Sequence, residues 1–206
     1  MIEELIPIIV RPLKLRDLDE IMEIEPVAYG PHHWSRQSFV NELTNPNGSY
    51  FGAESLVEGK LLGYSGYWLV GDEAHITTLA VAPFWRRQRI GERLLVNNVV
   101  ESRRAGANWL TLEVRVSNEA AQKLYFKYGF RNLGVRRRYY QDNSEDALVL
   151  WTDRITDPEF VESFVEKVFE LELNGDAVKE ALLLSDEPEL SGACLDEICF
   201  NEAVSA

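Results

Sequence analysis

The apolar positions of this chain change their spacing several times, and each change predicts a new element. Ile8-Ile9-Val10-Arg11-Pro12-Leu13 is a short β-branched run, the pattern of a first strand. Asp17 then stands before Leu18, Ile21, Met22 and Ile24, a helical spacing with an N-cap residue in front of it. Tyr29-Gly30-Pro31-His32-His33-Trp34 breaks that helix. Ser35 is placed to cap the next one, which ends near Asn45-Pro46-Asn47-Gly48. Residues 49–54, 60–70 and 74–81 are rich in aromatic and β-branched side chains and are separated by Gly, Asp and Glu, which predicts three antiparallel strands. Pro83 stops the third. Residues 91–105 return to helical spacing with Leu94, Leu95, Val99 and Val100, and Gly106 ends them. Residues 109–115 alternate strictly and predict a strand. Asn118 opens a helix holding Ala121, Leu124, Tyr125 and Tyr128, closed by Gly129. Two last strands follow, near 131–140 and 146–152. Phe160, Val161, Phe164, Val165, Val168 and Leu171 form an apolar stripe opposite Glu162, Glu166 and Glu170, which predicts a helix over about 158–173.

Strands and helices alternate through the first 155 residues, so the expected fold class is α/β (α+β), one mixed sheet flanked by helices. Residues 156–206 read as a C-terminal helical, acidic extension whose end, beyond about Asp186, is weakly ordered, with Ile198-Cys199-Phe200 as a segment able to dock. The net charge of −13 belongs to that extension. Residues 157–206 carry 14 acids and 2 bases, whereas the rest carries 20 acids and 19 bases. The acidity therefore says nothing about the first 155 residues, and nucleic-acid binding is not expected. Arg136-Arg137-Arg138 reads as a strand edge with solvated sides rather than an RNA contact. No apolar run of about 18 residues is present, so no membrane span is expected. Cys194 and Cys199 lack zinc spacing and neighbouring His, so no metal is expected. The acidic start lacks the order of a secretion signal, and the chain reads as cytoplasmic.

The segment most suited to chemistry is strand, basic loop, helix: Thr78-Leu79-Ala80-Val81-Ala82-Pro83-Phe84-Trp85-Arg86-Arg87-Gln88-Arg89-Ile90-Gly91-Glu92. A helix N-terminus has unpaired N–H groups and a positive dipole end, so it can hold an anion. Three Arg residues add charge suited to a diphosphate, and Gly91 permits close approach to the backbone. The same pattern also describes a solvated basic turn before an amphipathic helix. Walker and dinucleotide fingerprints are absent, which makes ATP and NAD poor candidates.

This loop resembles motif A of the GNAT acetyltransferases: Gln or Arg, two residues, Gly, one residue, then Gly or Ala. Arg86 and Gly91 fill the outer positions, and Arg89 stands where the family has its first Gly. If the backbone there takes a positive φ, Arg89 costs roughly 1 kcal/mol. Asn118-Glu119-Ala120-Ala121-Gln122-Lys123-Leu124-Tyr125-Phe126-Lys127-Tyr128-Gly129-Phe130 resembles the family's Asn-x-Ala-Ala, Leu-Tyr, Gly-Phe signature. Leu112-Glu113-Val114-Arg115-Val116-Ser117-Asn118, Arg137-Arg138-Tyr139-Tyr140 and the pair Glu145-Asp146 look like the RimI-type group within it. The resemblance covers about residues 8–153.

The resemblance implies a GNAT-like, mostly antiparallel sheet and an acetyl-CoA-dependent N-acetyltransferase. It implies an acceptor protein N-terminus, the N-terminal Ala of a small-subunit ribosomal protein. Glu113 is implied as base and Tyr125 as acid. Leu79, Ala80 and Val81 are implied to pair with the pantetheine arm or polarise the thioester. Arg86, Arg87, Gln88, Arg89, Ile90, Gly91 and Glu92 are implied to wrap the diphosphate, and Asn118 to bond the cofactor. The acceptor groove is implied between residues 29–34 and residues 139–146. Read from the residues alone, Glu113 can equally pair with Arg115 on one strand face, Tyr125 can be a core side chain, and Asn118 can be a helix cap. Lysine side chains, small amines, or binding without turnover are the alternative functions. Oligomeric state is not readable from the sequence.

Overall fold

The computed structural model describes residues 6–171, 173 and 175–183. They fall into two units. Residues up to Val70 with His75–Asn98 make the first, and Gly71–Ala74 with Val99 onward make the second. The expected mixed α/β architecture, with mostly antiparallel strands flanked by helices, is present.

In the first unit, strands β1 (Ile8–Pro12), β2 (Gly48–Ser55), β3 (Leu61–Val70) and β4 (Glu73–Val81) lie in sequence order. β1–β2 and β2–β3 are antiparallel. Helices α1 (Leu18–Tyr29) and α2 (Arg36–Leu43) contribute Leu18, Ile21, Ile24 and Phe39 to a cluster with Tyr50, Leu61, Tyr64 and Ala80. A second cluster joins Ile8, Ala53 and Leu62 to Ile90 and Leu94 of helix α3 (Ile90–Arg104), with Leu79, Val81 and Trp85 packed against it. Alternation along β4 therefore sends Ala80 to one cluster and Leu79 and Val81 to the other. A Leu or Val side chain gains at most about 1.5–3 kcal/mol on full burial, and a one-residue slip would exchange Leu79 and Val81 with Ala80, which favours this register. β3 comes so close here that a Cβ on Gly63 would lie 2.6 Å from the Ala80 carbonyl oxygen, so only glycine fits without moving the end of β4.

The second unit holds β5 (Trp109–Arg115), α4 (Glu119–Lys127), β6 (Phe130–Tyr140), β7 (Glu145–Thr152), α5 (Pro158–Phe169) and α6 (Gly175–Leu183). Its strands run β5-β7-β6, with β7 antiparallel to both neighbours. The unit division falls inside α3, between Asn98 and Val99. α5 buries the expected stripe. Phe160 lies against Gly129, where an added Cβ would stand 3.0 Å from the ring, and Phe164 meets Tyr128 at a 5.6 Å centroid distance.

Two expectations need revision. Asp17 does not cap α1 with its side chain. Its carboxylate accepts from the Lys14 N–H at 2.7 Å and pairs with Arg11 at 2.9 Å, because a buried carboxylate next to a guanidinium gains more from charge than from a single capping bond. The helix expected over 158–173 stops at Phe169. A separate helix, α6, follows and buries Val178, Ala181 and Leu182. The expected weakly ordered end and docking segment, with both cysteines, lie outside the described residues.

Candidate active site

The basic loop leaves β4 through one 3-10 turn, Pro83–Trp85, and enters α3 at Ile90. Arg86 is extended, whereas Arg87 and Arg89 both take left-handed backbone, φ 68° and 58°. Gln88 lies between them without a positive φ. Left-handed residues in such a turn can direct neighbouring N–H groups toward one side, as anion-binding concavities do. The first turn of α3 adds its dipole to the same loop. Arg89 therefore does adopt the conformation that the family fills with glycine, at roughly 1 kcal/mol of strain. Arg86 turns back, its Nε donating to the Val81 carbonyl at 3.2 Å, so it braces the loop on the strand. Arg87 and Arg89 are exposed, and Gln88, Gly91 and Glu92 are half-buried. Ile90 is buried in the core rather than presented to a ligand.

Above the same strand end stands Tyr29, the last residue of α1. Its hydroxyl lies 3.0 Å from Thr78 Oγ1, donates to the Leu79 carbonyl at 3.0 Å and accepts from the Leu79 N–H at 3.3 Å. The Leu79 amide is thus engaged by a side chain. Burial raises the Tyr29 phenol above its ordinary range, which keeps it neutral, able both to donate and to accept. One turn earlier, Glu25 is 2% exposed. Its Oε1 accepts from the Trp34 N–H at 2.8 Å, closing the segment that follows α1, while Oε2 is buried with no hydrogen-bond partner. Desolvation pushes this carboxyl up to about 7, against the Trp34 hydrogen bond and the His33 charge.

In the second unit, Glu113 sits in the middle of β5. Its side chain is 5% exposed, and Oε1 pairs with Arg136 Nη1 at 2.8 Å. The expected alternative partner, Arg115, is engaged elsewhere. It reaches Asp142 at 2.9 Å and Glu145 at 3.2 Å, and lies 3.8 Å over the Tyr140 ring. Glu145 also accepts from the Ser117 N–H at 2.7 Å, and hydrogen bonding from Ser117, first among its partners, holds this carboxyl down to about 2. The turn between β6 and β7 is therefore tied to the end of β5. Gln122 of α4 secures that end by donating to the Arg115 and Val116 carbonyls at 2.9 and 2.8 Å.

Tyr125 is buried in α4, its ring 5.5 Å from that of Phe130. Asn118 is the α4 cap, Oδ1 accepting from the Ala121 N–H at 3.1 Å. Its second Oδ1 lone pair and its Nδ2 donors are not used by the cap. Sequence reading placed Tyr29 only in the acceptor-groove segment and Arg136 only at a solvated strand edge, and it gave Glu25 and Gln122 no role. A glutamate inside an apolar helix stripe was the only local signal among them. Among the described residues no group of His, Cys, Asp and Glu has metal-site geometry, and no helix is long and apolar enough to cross a membrane.

Residues 15–130 match the model of the Acetyltransferase (GNAT) family. Over 143 residues the chain is 43% identical to the putative [ribosomal protein bS18]-alanine N-acetyltransferase of Bacillus subtilis, covering 69% of this chain and 93% of that protein. The crystal structure of the ribosomal-protein-S18-alanine N-acetyltransferase from Escherichia coli matches with a TM-score of 0.64 at 32% identity, covering 70% of this chain and 92% of that one. The NatC complex bound to Gag peptide and CoA shares the fold, with a TM-score of 0.63 at 22% identity over 71% of this chain and 98% of that one.

Proposed function

The chain belongs to the GNAT acetyltransferase family, and on that premise we propose that it transfers an acetyl group from acetyl-CoA to a protein N-terminal α-amine, that of N-terminal Ala on a small-subunit ribosomal protein. Its similarity to bS18-alanine N-acetyltransferases supports the acceptor. In this reading residues 1–155 are the transferase domain and 156–206 an acidic extension of it.

The observation that carries the chemistry is Glu113, a carboxylate with a 5% exposed side chain in mid-strand. Burying charge there is costly, and a core strand of this kind does not otherwise need it. Acetyl-CoA supplies a thioester whose carbonyl carbon an amine can attack. The neutral amine is the reactive form. An α-amine, with a pKa of about 7.7–8.0, is roughly one fifth to one third neutral near pH 7.4, whereas lysine at about 10.4 is roughly 0.1% neutral. Glu113 takes the proton that the amine loses as the N–C bond forms, directly or through water. The C–S bond breaks, and Tyr125 protonates the leaving thiolate. N–H groups of the 79–81 segment polarise the carbonyl as an oxyanion site does. The left-handed pair Arg87 and Arg89, with the start of α3, suits the cofactor's diphosphate. Arg86 holds that loop in shape, and Asn118 offers its Nδ2 to the cofactor.

The test is CoA release with an Ala-starting peptide matching a small-subunit ribosomal N-terminus, for wild type and Glu113→Gln. Acetylation at the α-amine is expected. Its kcat should fall by about 10²-fold or more in the variant, with acetyl-CoA binding retained. Equal rates on lysine and α-amines overturn the N-terminal assignment, and silence across a broad amine panel overturns turnover itself.

A further inference from the structure

Tyr29 makes an unusual set of bonds. A neutral phenol hydroxyl has one proton to donate and two lone pairs. Here the proton goes to the Leu79 carbonyl, one lone pair takes the Leu79 N–H, and Thr78 Oγ1 completes the set at 3.0 Å. One side-chain atom thus satisfies both backbone groups of a single strand residue. Those two groups lie on β4, the strand the proposed reaction uses to receive the cofactor. An acylated pantetheine arm carries amide N–H groups and carbonyl oxygens, so it offers the donor and the acceptor that the hydroxyl now provides.

We propose that the Tyr29 hydroxyl is a stand-in for the acyl-pantetheine arm on Leu79, and that cofactor binding displaces it. The proposal rests on the acetyl-CoA reading above. Three features make the displacement feasible. Tyr29 is 39% exposed, so the residue is not enclosed in the core. Gly30 follows at φ 63° with open space around its α-carbon, a backbone position that can pivot. The Glu25 bond to the Trp34 N–H holds the far end of the 3-10 turn Gly30–His32, whose His33 N–H bonds back to the Gly30 carbonyl, so the turn can shift as one short arch between two anchors. Release of Tyr29 therefore alters the segment after α1 while Glu25 keeps its far end in place. An occupied Leu79 thus reports cofactor loading to the arch, which makes Tyr29 a positioning residue that couples the two substrates' order of binding.

Removing the hydroxyl tests this directly, because its sign is opposite to that of an ordinary binding residue. In Tyr29→Phe the Leu79 N–H and C=O lose their partner in the free protein only, and an arm that satisfies them gains accordingly. Acetyl-CoA should bind the variant about 3- to 10-fold more tightly than wild type by calorimetry. Binding of 3′,5′-ADP, which has no pantetheine arm, should not change. In wild type, saturating acetyl-CoA should speed amide hydrogen exchange in residues 27–33, since their anchor is withdrawn. Unchanged or weaker acetyl-CoA binding by Tyr29→Phe, equal tightening of 3′,5′-ADP, or slower exchange in residues 27–33 each overturns the proposal. Wild type that binds no acetyl-CoA at all instead overturns the cofactor reading beneath it.

Discussion

Glu113 and Arg136 meet across an intervening strand: Oε1 lies 2.8 Å from Nη1, although β7 separates β5 from β6. Register explains the reach. Glu113 stands opposite Val149 and Arg136 opposite Ala147, so the long guanidinium arm runs diagonally over β7. The carboxylate end is almost buried and the cation end half exposed.

That asymmetry sets a pH signature. In Arg136→Ala the Glu113 carboxylate loses this guanidinium and its charged form is less favoured. The acidic limb of kcat/KM should move to higher pH, modestly because Arg136 faces solvent. Glu113→Gln should abolish that limb. A profile unmoved by Arg136→Ala would mean that another group carries the limb.

Tyr125 separates two roles that share one position. Its ring packs on Phe130, and Phe keeps that packing. Tyr125→Phe should therefore change the melting temperature little while lowering kcat about 10²-fold, with KM for acetyl-CoA nearly unchanged. Full activity would reduce Tyr125 to a core side chain.

Glu25 makes stability fall as pH rises. Its carboxyl is raised from 4.5 to about 7 in the folded protein, chiefly by burial. Between those values the folded state binds more protons than the unfolded chain, so unfolding free energy decreases with pH across about 4.5 to 7. The full loss above pH 7 is on the order of 3 kcal/mol. Urea unfolding at several pH values should show this slope in wild type and a flatter one in Glu25→Gln. Parallel slopes would rule Glu25 out as its source.

Arg89 allows charge and backbone to be separated. Arg89→Ala keeps a side chain at φ 58° and removes the cation, and Arg89→Gly also removes the strain. Both should weaken acetyl-CoA binding several-fold, most strongly at low salt. The glycine variant should be more stable than the alanine variant by roughly 1 kcal/mol in thermal or urea unfolding. Equal stabilities would place no strain at this residue.

Much of this was legible locally. Alternation around Glu113, the apolar stripe of α5 and the Ser35 cap are short-range patterns, and each lies where its spacing put it. The partners were not legible. Arg115 is two residues from Glu113 on the same strand face, yet the acids of the β6–β7 turn hold it instead. Arg136 becomes the partner only because the strands run β5-β7-β6, which no local spacing encodes. Tyr29 looked like a helix-ending aromatic, and its meaning comes from a strand 50 positions later. Asp17 had every mark of a cap, but the Arg11 guanidinium outcompeted the helix for its buried carboxylate.

The seam between α4 and α5 bears on how this enzyme is handled at the bench. The proposed transferase domain, residues 1–155, ends before α5 begins at Pro158, which invites trimming to that length. Such a cut strips Phe160 from Gly129 and Phe164 from Tyr128, leaving a raw apolar scar beside the helix that carries Asn118 and Tyr125. A trimmed protein that precipitates or goes silent would then testify to a torn core, not to a catalytic tail.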